Sequence, residues 1–310
     1  HHGGMIQDCY SIPASLYSDL GGRLGCRFDL MHYWGPLASN RSSLWIARAT
    51  REVLAGCGAP PPDLCLTYLP VLDYDLQRFG PDHVRSRRAF ADLAASLALL
   101  REVCDRHGFE MLVYGDYAIE PSPGGAVFPN RALRQAGLLH CRRVKTRLYP
   151  DLYESRAFAV TDHQTAHVYA REPAETDRAR DVLERLPGVG AVWDARQLAE
   201  RRLAHANSGE LVVLAAAGHW LAYPWWDRAS EAPDYAGHVD IHNKPGYDPC
   251  ELFWGWPPGR VSQAPARIGG SHGLTGPGRD ACWAASFLKP EAKTLVQLAR
   301  RVQQWLEIVS

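Results

Sequence analysis

The stretch Leu66–Pro81 reads LTYLPVLDYDLQRFGP, and its features decide the fold class that we predict. Its first half is an apolar run that ends at Leu72, and its second half carries the acids Asp73 and Asp75 before a closing Gly-Pro. A buried strand that ends in carboxylates and is followed by a helix is typical of open α/β sheets, where ligands bind at the carboxyl edge. We therefore expect this stretch to form one edge of an active site.

A second strand is predicted after the helix that follows this stretch. Residues 81–108 place apolar side chains at helical spacing, and residues 109–114 form another apolar run, shortly before Asp116. A strand, a helix and a second strand form a right-handed crossover, which makes the two strands parallel in one sheet. The pattern therefore predicts an α/β fold with Asp73 and Asp116 at the same edge of the sheet.

The rest of the chain divides into three parts. Residues 155–216 alternate between short strands and helices, which indicates either a continuation of the sheet or an α+β insert. The predicted strands are 157–160, 166–170, 190–193 and 210–215, and the predicted helices are 172–186 and 195–204. Residues 217–277 are irregular and rich in Trp, Pro, Gly and His, a pattern that is usually functional, and 290–309 form an amphipathic helix.

The composition excludes several classes of protein. The chain has 34 basic and 34 acidic residues, so it has no basic field to hold DNA or RNA. No apolar window is long enough to span a membrane and no signal peptide follows the first residues, so we expect a cytoplasmic protein without a membrane partner. The eight cysteines are scattered, which favours free thiols over disulfides or a cysteine metal site.

The acids at the predicted strand ends are candidates for chemistry. Asp73 is followed by Gln77, and Asp116 is followed by Tyr117. Two acids from neighbouring strand ends can bind one or two divalent cations, and oxygen together with imidazole ligands suits Zn²⁺ or Mn²⁺. An acid at a strand end can equally cap the next helix.

The irregular region supplies the candidate imidazoles. His242 is followed by a turn and a second acid, and His272 lies between small residues in Gly-Gly-Ser-His-Gly, which allow a close approach of the backbone. Each is either a ligand or a structural hydrogen-bonding residue. Asp162-His163-Gln164 and His167 lie on a strand pattern and are interpreted as mainly structural.

A serine-rich segment, residues 39–43, precedes a helical pattern. A serine there is expected to cap the helix, although a nucleophile at a helix N-terminus is also compatible with the pattern. The phosphate-binding glycine loops of dinucleotide-binding and P-loop proteins are absent, as is Gly-x-Ser-x-Gly. These absences argue against a Rossmann dehydrogenase, a P-loop NTPase and an α/β-hydrolase.

The ordered set of motifs resembles the alkaline phosphatase superfamily, in particular its nucleotide pyrophosphatase/phosphodiesterase branch. The residues that carry the resemblance are Asp73-x-x-x-Gln77-x-x-Gly80-Pro81, Asp116-Tyr117, His242 with Gly246-Tyr247-Asp248, and Ser271-His272-Gly273. Together with Trp34-Gly35-Pro36, they extend the resemblance over most of the chain from Asp8 onward.

The resemblance implies a fold, a reaction and a set of ligands. The fold is a three-layer sandwich with a mainly parallel central sheet, in a single domain of residues 1–310. The reaction is in-line attack on the phosphorus of a small-molecule phosphoester or nucleotide, assisted by two divalent metal ions, Zn²⁺ or Mn²⁺. The positions implied to hold the metals are Asp73, Gln77, Asp116, Tyr117, and either His242 or His272.

The chain departs from this family pattern at three places. Gln77 and Tyr117 stand where the family has histidine ligands, and nothing before Phe28 resembles the opening strand Asp and the Ser or Thr nucleophile. We interpret the chain as lacking its N-terminal strand, and a divergent member is the alternative. A non-catalytic phosphoester-binding protein, or a phosphonate hydrolase or phosphomutase, are alternative functions.

Overall fold

The computed structural model describes residues 8–57, 59–288 and 291–309. Its helices are α1 (Ser15–Leu24), α2 (Asn40–Leu54), α3 (Val71–Phe79), α4 (Val84–His107), α5 (Pro129–Gln135), α6 (Pro173–Glu184), α7 (Ala195–Glu200) and α8 (Leu295–Val309). Its strands are β1 (Leu112–Tyr114), β2 (Glu120–Pro121), β3 (Gly125–Val127), β4 (Cys141–Val144), β5 (Arg147–Pro150), β6 (Ala157–Asp162), β7 (Thr165–Ala170), β8 (Val189–Asp194), β9 (Leu211–Ala215), β10 (His219–Leu221), β11 (Gly270–Ser271) and β12 (Trp283–Ala285).

The largest sheet has four antiparallel strands in the order β6-β7-β9-β8. Alternate side chains of β6 are buried, beginning with Ala157 and Ala159, because successive residues of a strand face opposite sides of a sheet. Helix α6 packs on the sheet through the fully buried Ala179 and Leu183. The four predicted strands and two predicted helices of residues 155–216 are thus confirmed, and their being an insert stays a prediction.

The predicted strand that ends at Leu72 is wrong, because residues 71–79 form helix α3. The buried residues Val71, Tyr74 and Gln77 recur at every third position, which places them on one face of a helix. A short apolar run does not distinguish a strand from a buried helix by its pattern alone. The segment before α3 belongs to no strand, and Leu66 is 81% exposed.

The predicted parallel pairing is also wrong. Strand β1, which includes part of the predicted second strand, pairs antiparallel with β12, more than 160 residues later in the chain. Among the named strands of the described residues, β3 and β10 form the one parallel pair, and the other pairs are antiparallel. The fold is therefore mixed α/β, with small and mostly antiparallel sheets instead of a mainly parallel central sheet.

The helical predictions are confirmed for the segments before and after this region. Helix α4 follows the apolar spacing of residues 81–108 and ends at Gly108, whose φ of +73° is the left-handed geometry of a helix C-cap. Helix α2 packs against α4. The amphipathic helix predicted over 290–309 is confirmed as α8 from Leu295 onward, whereas residues 291–294 are not helical and Pro290 lies outside the described residues.

The irregular region begins beside the large sheet. Trp225 is fully buried in the core cluster that also contains the apolar residues of this sheet, and Trp220 is buried in a second, smaller cluster. By contrast, Trp256 is 86% exposed. Each helix in the described part of the chain is too short or too polar to cross a membrane.

Candidate active site

Asp73 lies in the first turn of α3, where its carboxylate accepts two phenolic hydrogen bonds. Tyr68 Oη donates to Oδ2 over 2.7 Å, and Tyr117 Oη donates to Oδ1 over 2.6 Å. Burial raises the pKa of Asp73, and the two hydroxyls oppose this by stabilising the carboxylate. Burial and the neighbouring Asp73 raise the pKa of Tyr117 far above its ordinary value, so this phenol keeps its proton and remains a donor.

Four rings in contact with one another, which we call the aromatic column, continue from Tyr117 into the protein. Tyr117 stacks on His272 with 3.6 Å between ring centroids, and His272 lies 3.7 Å from His163. His163 in turn stacks on Tyr247 at 4.1 Å. The column therefore brings together residues from four separate parts of the chain, with the two imidazoles at its centre.

His272 is held as a neutral imidazole. Burial, together with the neighbouring His163, lowers the pKa of His272 to about 3. The Nε2 atom of His272 is buried and has no hydrogen-bond partner among the described residues. A neutral ring offers a lone pair on one of its nitrogens, so His272 can act as a ligand or an acceptor near neutral pH.

His163 enters the column from the tip of the hairpin between β6 and β7. The hairpin loop contains two residues, His163 and Gln164, and His163 has a φ of +55°. Positive φ is uncommon outside glycine, and such strained positions cluster at functional sites. Asp162 Oδ1 lies 2.6 Å from His163 Nδ1, while His163 Nε2 is buried without a partner in the described structure.

Gln164, the second residue of this loop, fixes the segment that carries His272. Its backbone N–H donates to His272 O over 2.9 Å, and its side-chain oxygen accepts from the backbone of Leu274. Its amide nitrogen donates to Glu120 Oε1 over 2.6 Å, and Arg279 donates to the other oxygen of Glu120. The hairpin tip and the His272 segment are therefore held together by a partly buried polar network.

The structure brings together three of the residues predicted for the site, namely Asp73, Tyr117 and His272. Gln77 lies at the far end of the column, where its Oε1 accepts a hydrogen bond from Tyr247 Oη over 3.2 Å. The side chain of Asp116 is exposed.

His242 is not brought to this cluster. His242 is exposed, and its backbone N–H donates to Asp240 Oδ1. His163 was missed by the sequence analysis, which interpreted it as structural. A His at a two-residue hairpin turn, where glycine is favoured, is the signal that could have revealed it.

The donor set does not fit the two-metal centre that the family resemblance implies. Both carboxylate oxygens of Asp73 and the amide oxygen of Gln77 accept hydrogen bonds from tyrosines. Within residues 8–57, 59–288 and 291–309, no three His, Cys, Asp or Glu side chains lie close enough together to share a metal ion. These side chains are therefore not arranged as ligands of a pair of metal ions.

Ser39, at the N-terminus of α2, was a candidate for either a cap or a nucleophile. Its side chain makes no capping hydrogen bond, and its Oγ lies 3.2 Å from His32 Nδ1. The same nitrogen lies 2.9 Å from Leu37 O, a carbonyl that can only accept a hydrogen bond. His32 Nδ1 therefore carries a proton and is not a free base for Ser39.

Comparison with known proteins defines the family. Residues 8–248 match the family described as type I phosphodiesterase / nucleotide pyrophosphatase, and the chain belongs to this family. The match includes Asp73, Tyr117 and His163, and it ends before His272. A comparison with curated proteins gave no match.

Solved structures give distant similarities. A phosphonoacetate hydrolase from Sinorhizobium meliloti 1021 in complex with phosphonoacetate is similar with a TM-score of 0.49 and 12% identity, over 88% of this chain and 55% of that one. An inactive murine ectonucleotide pyrophosphatase / phosphodiesterase 5 in complex with AMP has a TM-score of 0.40 and 15% identity, over 56% and 43% of the two chains. The chain thus spans about half the length of these proteins, and similarities at this level carry no argument about function.

Proposed function

We propose that this protein is a phosphoester hydrolase that acts on a small phosphodiester or nucleotide. Membership of the phosphodiesterase family supports the reaction class. The contacts of Tyr117 with Asp73 and with His272 support the location, because these three positions are among those that the family resemblance selects. Metal dependence, with Zn²⁺ or Mn²⁺, remains part of the prediction.

The chain's own residues would bind and orient the substrate. Tyr68 and Tyr117 fix the Asp73 carboxylate and keep their own protons. Two buried hydroxyls beside the column, Thr161 Oγ1 and Ser271 Oγ, have no hydrogen-bond partner among the described residues. Because a buried polar group without a partner is costly, these hydroxyls are suitable donors for phosphoryl oxygens.

The test compares a chromogenic phosphodiester with the corresponding monoester. We expect bis(p-nitrophenyl) phosphate to be hydrolysed faster than p-nitrophenyl phosphate, in the presence of added Zn²⁺ or Mn²⁺. Asp73→Asn should lower kcat/KM by at least about 100-fold, which is roughly 2.7 kcal/mol of transition-state stabilisation. The exposed Asp63 provides the matched control, since Asp63→Asn should leave kcat/KM unchanged. Equal loss in both variants would contradict the site.

A second candidate is phosphoester binding without turnover. Its support is that tyrosines occupy both oxygens of Asp73, where the family resemblance implies a metal. Under this alternative, AMP or phosphonoacetate would raise the melting temperature of the protein, and no phosphodiester or monoester would be hydrolysed. Asp73→Asn would then weaken the thermal shift without any change in a catalytic rate.

A further inference from the structure

A cavity of about 140 Å³ is lined by members of both core clusters, that of Trp225 and that of Trp220. Its walls include the aromatic rings of Phe128, Trp220, Tyr223 and Trp226. An apolar cavity of about 150 Å³ is large enough to bind benzene, so this cavity has room for one six-membered ring. Most of these rings come from the Trp-rich irregular region, to which the proposed catalytic site gives no role.

The indole of Trp220 brings an unpaired donor to this cavity. Trp220 is 1% exposed, and its Nε1 atom is buried without a hydrogen-bond partner among the described residues. By contrast, Trp225 in the same segment donates its Nε1–H to Leu148 O over 3.2 Å. An indole N–H only donates, and a buried donor without a partner loses its hydration and gains nothing in return. An occupant that accepts a hydrogen bond would account for this donor.

Arg131, on helix α5, adds a cation at the mouth of the cavity, where its side chain is 30% exposed. Its Nε donates to Trp226 O over 3.0 Å, and its Cζ lies 4.1 Å from the ring centroid of Phe128. These two contacts hold the guanidinium group in place, while its two terminal nitrogens make no hydrogen bond within the described part of the chain. A planar guanidinium group with both terminal nitrogens available matches the geometry of a carboxylate.

The charges around the mouth also favour an anion. Asp227 accepts a hydrogen bond from Arg134 and lies 3.4 Å from Arg131 Nε, so a single carboxylate faces two guanidinium groups. The other acid on the wall, Asp248, is paired with the buried Lys244 over 2.8 Å. One positive charge at the mouth is therefore left without a carboxylate of its own among the residues that the structure describes.

We propose that this cavity binds a small aromatic carboxylate of about the size of benzoate. The ring lies among the aromatic walls, and the carboxylate oxygens accept hydrogen bonds from Trp220 Nε1 and from the terminal nitrogens of Arg131. The residues that line the cavity include neither Asp73 nor any ring of the aromatic column, so the site is separate from the proposed catalytic site. The proposal does not depend on turnover, because a protein that hydrolyses nothing would still satisfy it.

The experiment titrates the full chain with benzoate in a calorimeter and compares it with benzamide, which has a similar shape and no charge. We expect one benzoate per chain with a Kd of about 1 mM or tighter, and binding of benzamide that is about 10- to 100-fold weaker. Arg131→Gln should weaken the binding of benzoate and abolish the preference over benzamide. Arg134→Gln is the matched control, because Arg134 pairs with the same Asp227 without lining the cavity, and should leave the affinity unchanged.

A measurement on the unaltered protein does not depend on the folding of any variant. The indole ¹H–¹⁵N resonance of Trp220 should shift when benzoate is added, and that of Trp256, which is 86% exposed, should not. Trp220→Phe assigns the resonance and removes only the donor side of the ring system, so it should weaken benzoate binding by about 10-fold. A cavity that holds only water would show no benzoate binding up to about 10 mM, and this result would overturn the proposal. Equal affinity for benzoate in Arg131→Gln would overturn it as well.

Discussion

The four-stranded sheet of residues 157–215 and the aromatic column beside it are stabilised by different kinds of contact. In the sheet, all four strands come from one continuous stretch of the chain and their alternating apolar residues share one core. In the column, four rings from distant segments lie against one another, and two of their buried nitrogens have no hydrogen-bond partner among the described residues. The difference leads us to expect that the sheet supplies most of the stability, whereas the column includes a turn residue with positive φ.

The largest effect is expected from a cavity in the sheet's core. Leu183 on α6 is fully buried against the sheet, so Leu183→Ala should lower the free energy of unfolding by about 2–5 kcal/mol. The same substitution at Leu66, which is 81% exposed, should change it by less than about 0.5 kcal/mol. Urea denaturation followed by circular dichroism measures both. Similar losses in the two variants would mean that residues 64–69 are covered in solution.

The next largest effect is expected where the loop before the column residue Tyr247 contacts strand β6 of the sheet. Gly246 has a φ of +116°, and a Cβ there would lie 2.0 Å from Thr161 O on β6. Gly246→Ala should therefore separate the loop from the strand and cost about 1–3 kcal/mol, as overpacking does.

The separation can be observed at one amide. Tyr247 N–H donates to Thr161 O over 2.8 Å, so it should lose hydrogen-exchange protection in Gly246→Ala. Gly259→Ala is the control, because Gly259 also has positive φ, at +85°, but has open space around it. An equal loss of stability in the two variants would attribute the effect to backbone strain alone.

A smaller effect is expected within the column. Tyr117→Phe keeps the ring that stacks on His272 and removes the hydroxyl that donates to Asp73, at a cost of about 1–2 kcal/mol. Tyr114→Phe alters a half-exposed ring and should be neutral. If thermal unfolding shows no difference between the two variants, the Asp73–Tyr117 hydrogen bond contributes nothing to stability.

The smallest effect depends on pH. Burial raises the pKa of Glu120, but hydrogen bonds from Gln164 and the ion pair with Arg279 lower it more, so its folded pKa lies below its ordinary value of 4.5. The stabilisation is complete above that value and is lost as the pH falls through the folded pKa. Glu120→Gln should cost less than about 1 kcal/mol at pH 7, and the difference from the unaltered protein should vanish in acid. A difference that stays constant with pH would exclude the ion pair as its source.

Particular segments show which features could be predicted. The strands and helices of residues 155–216 follow from alternation and helical spacing, because their side chains face a core made by neighbours in sequence. The segment Leu66–Pro81 was misassigned, because a short apolar run with two acids fits either a strand or a helix. The partner of β1, which is β12, could not be inferred, since the two strands are separated by most of the chain.

The sequence by itself determined the family and the local elements of the sheet, and it selected Asp73, Tyr117 and His272 as candidate site residues. Only the tertiary structure decided that tyrosines bind the oxygens of Asp73 and that His163 joins His272. The reason is physical: a motif specifies which residue types are present, whereas the partner of each polar atom depends on segments brought together by folding. The sequence shows an aspartate and a histidine, but it does not show that two phenols donate to the carboxylate of Asp73 or that His163 Nε2 has no hydrogen-bond partner among the described residues.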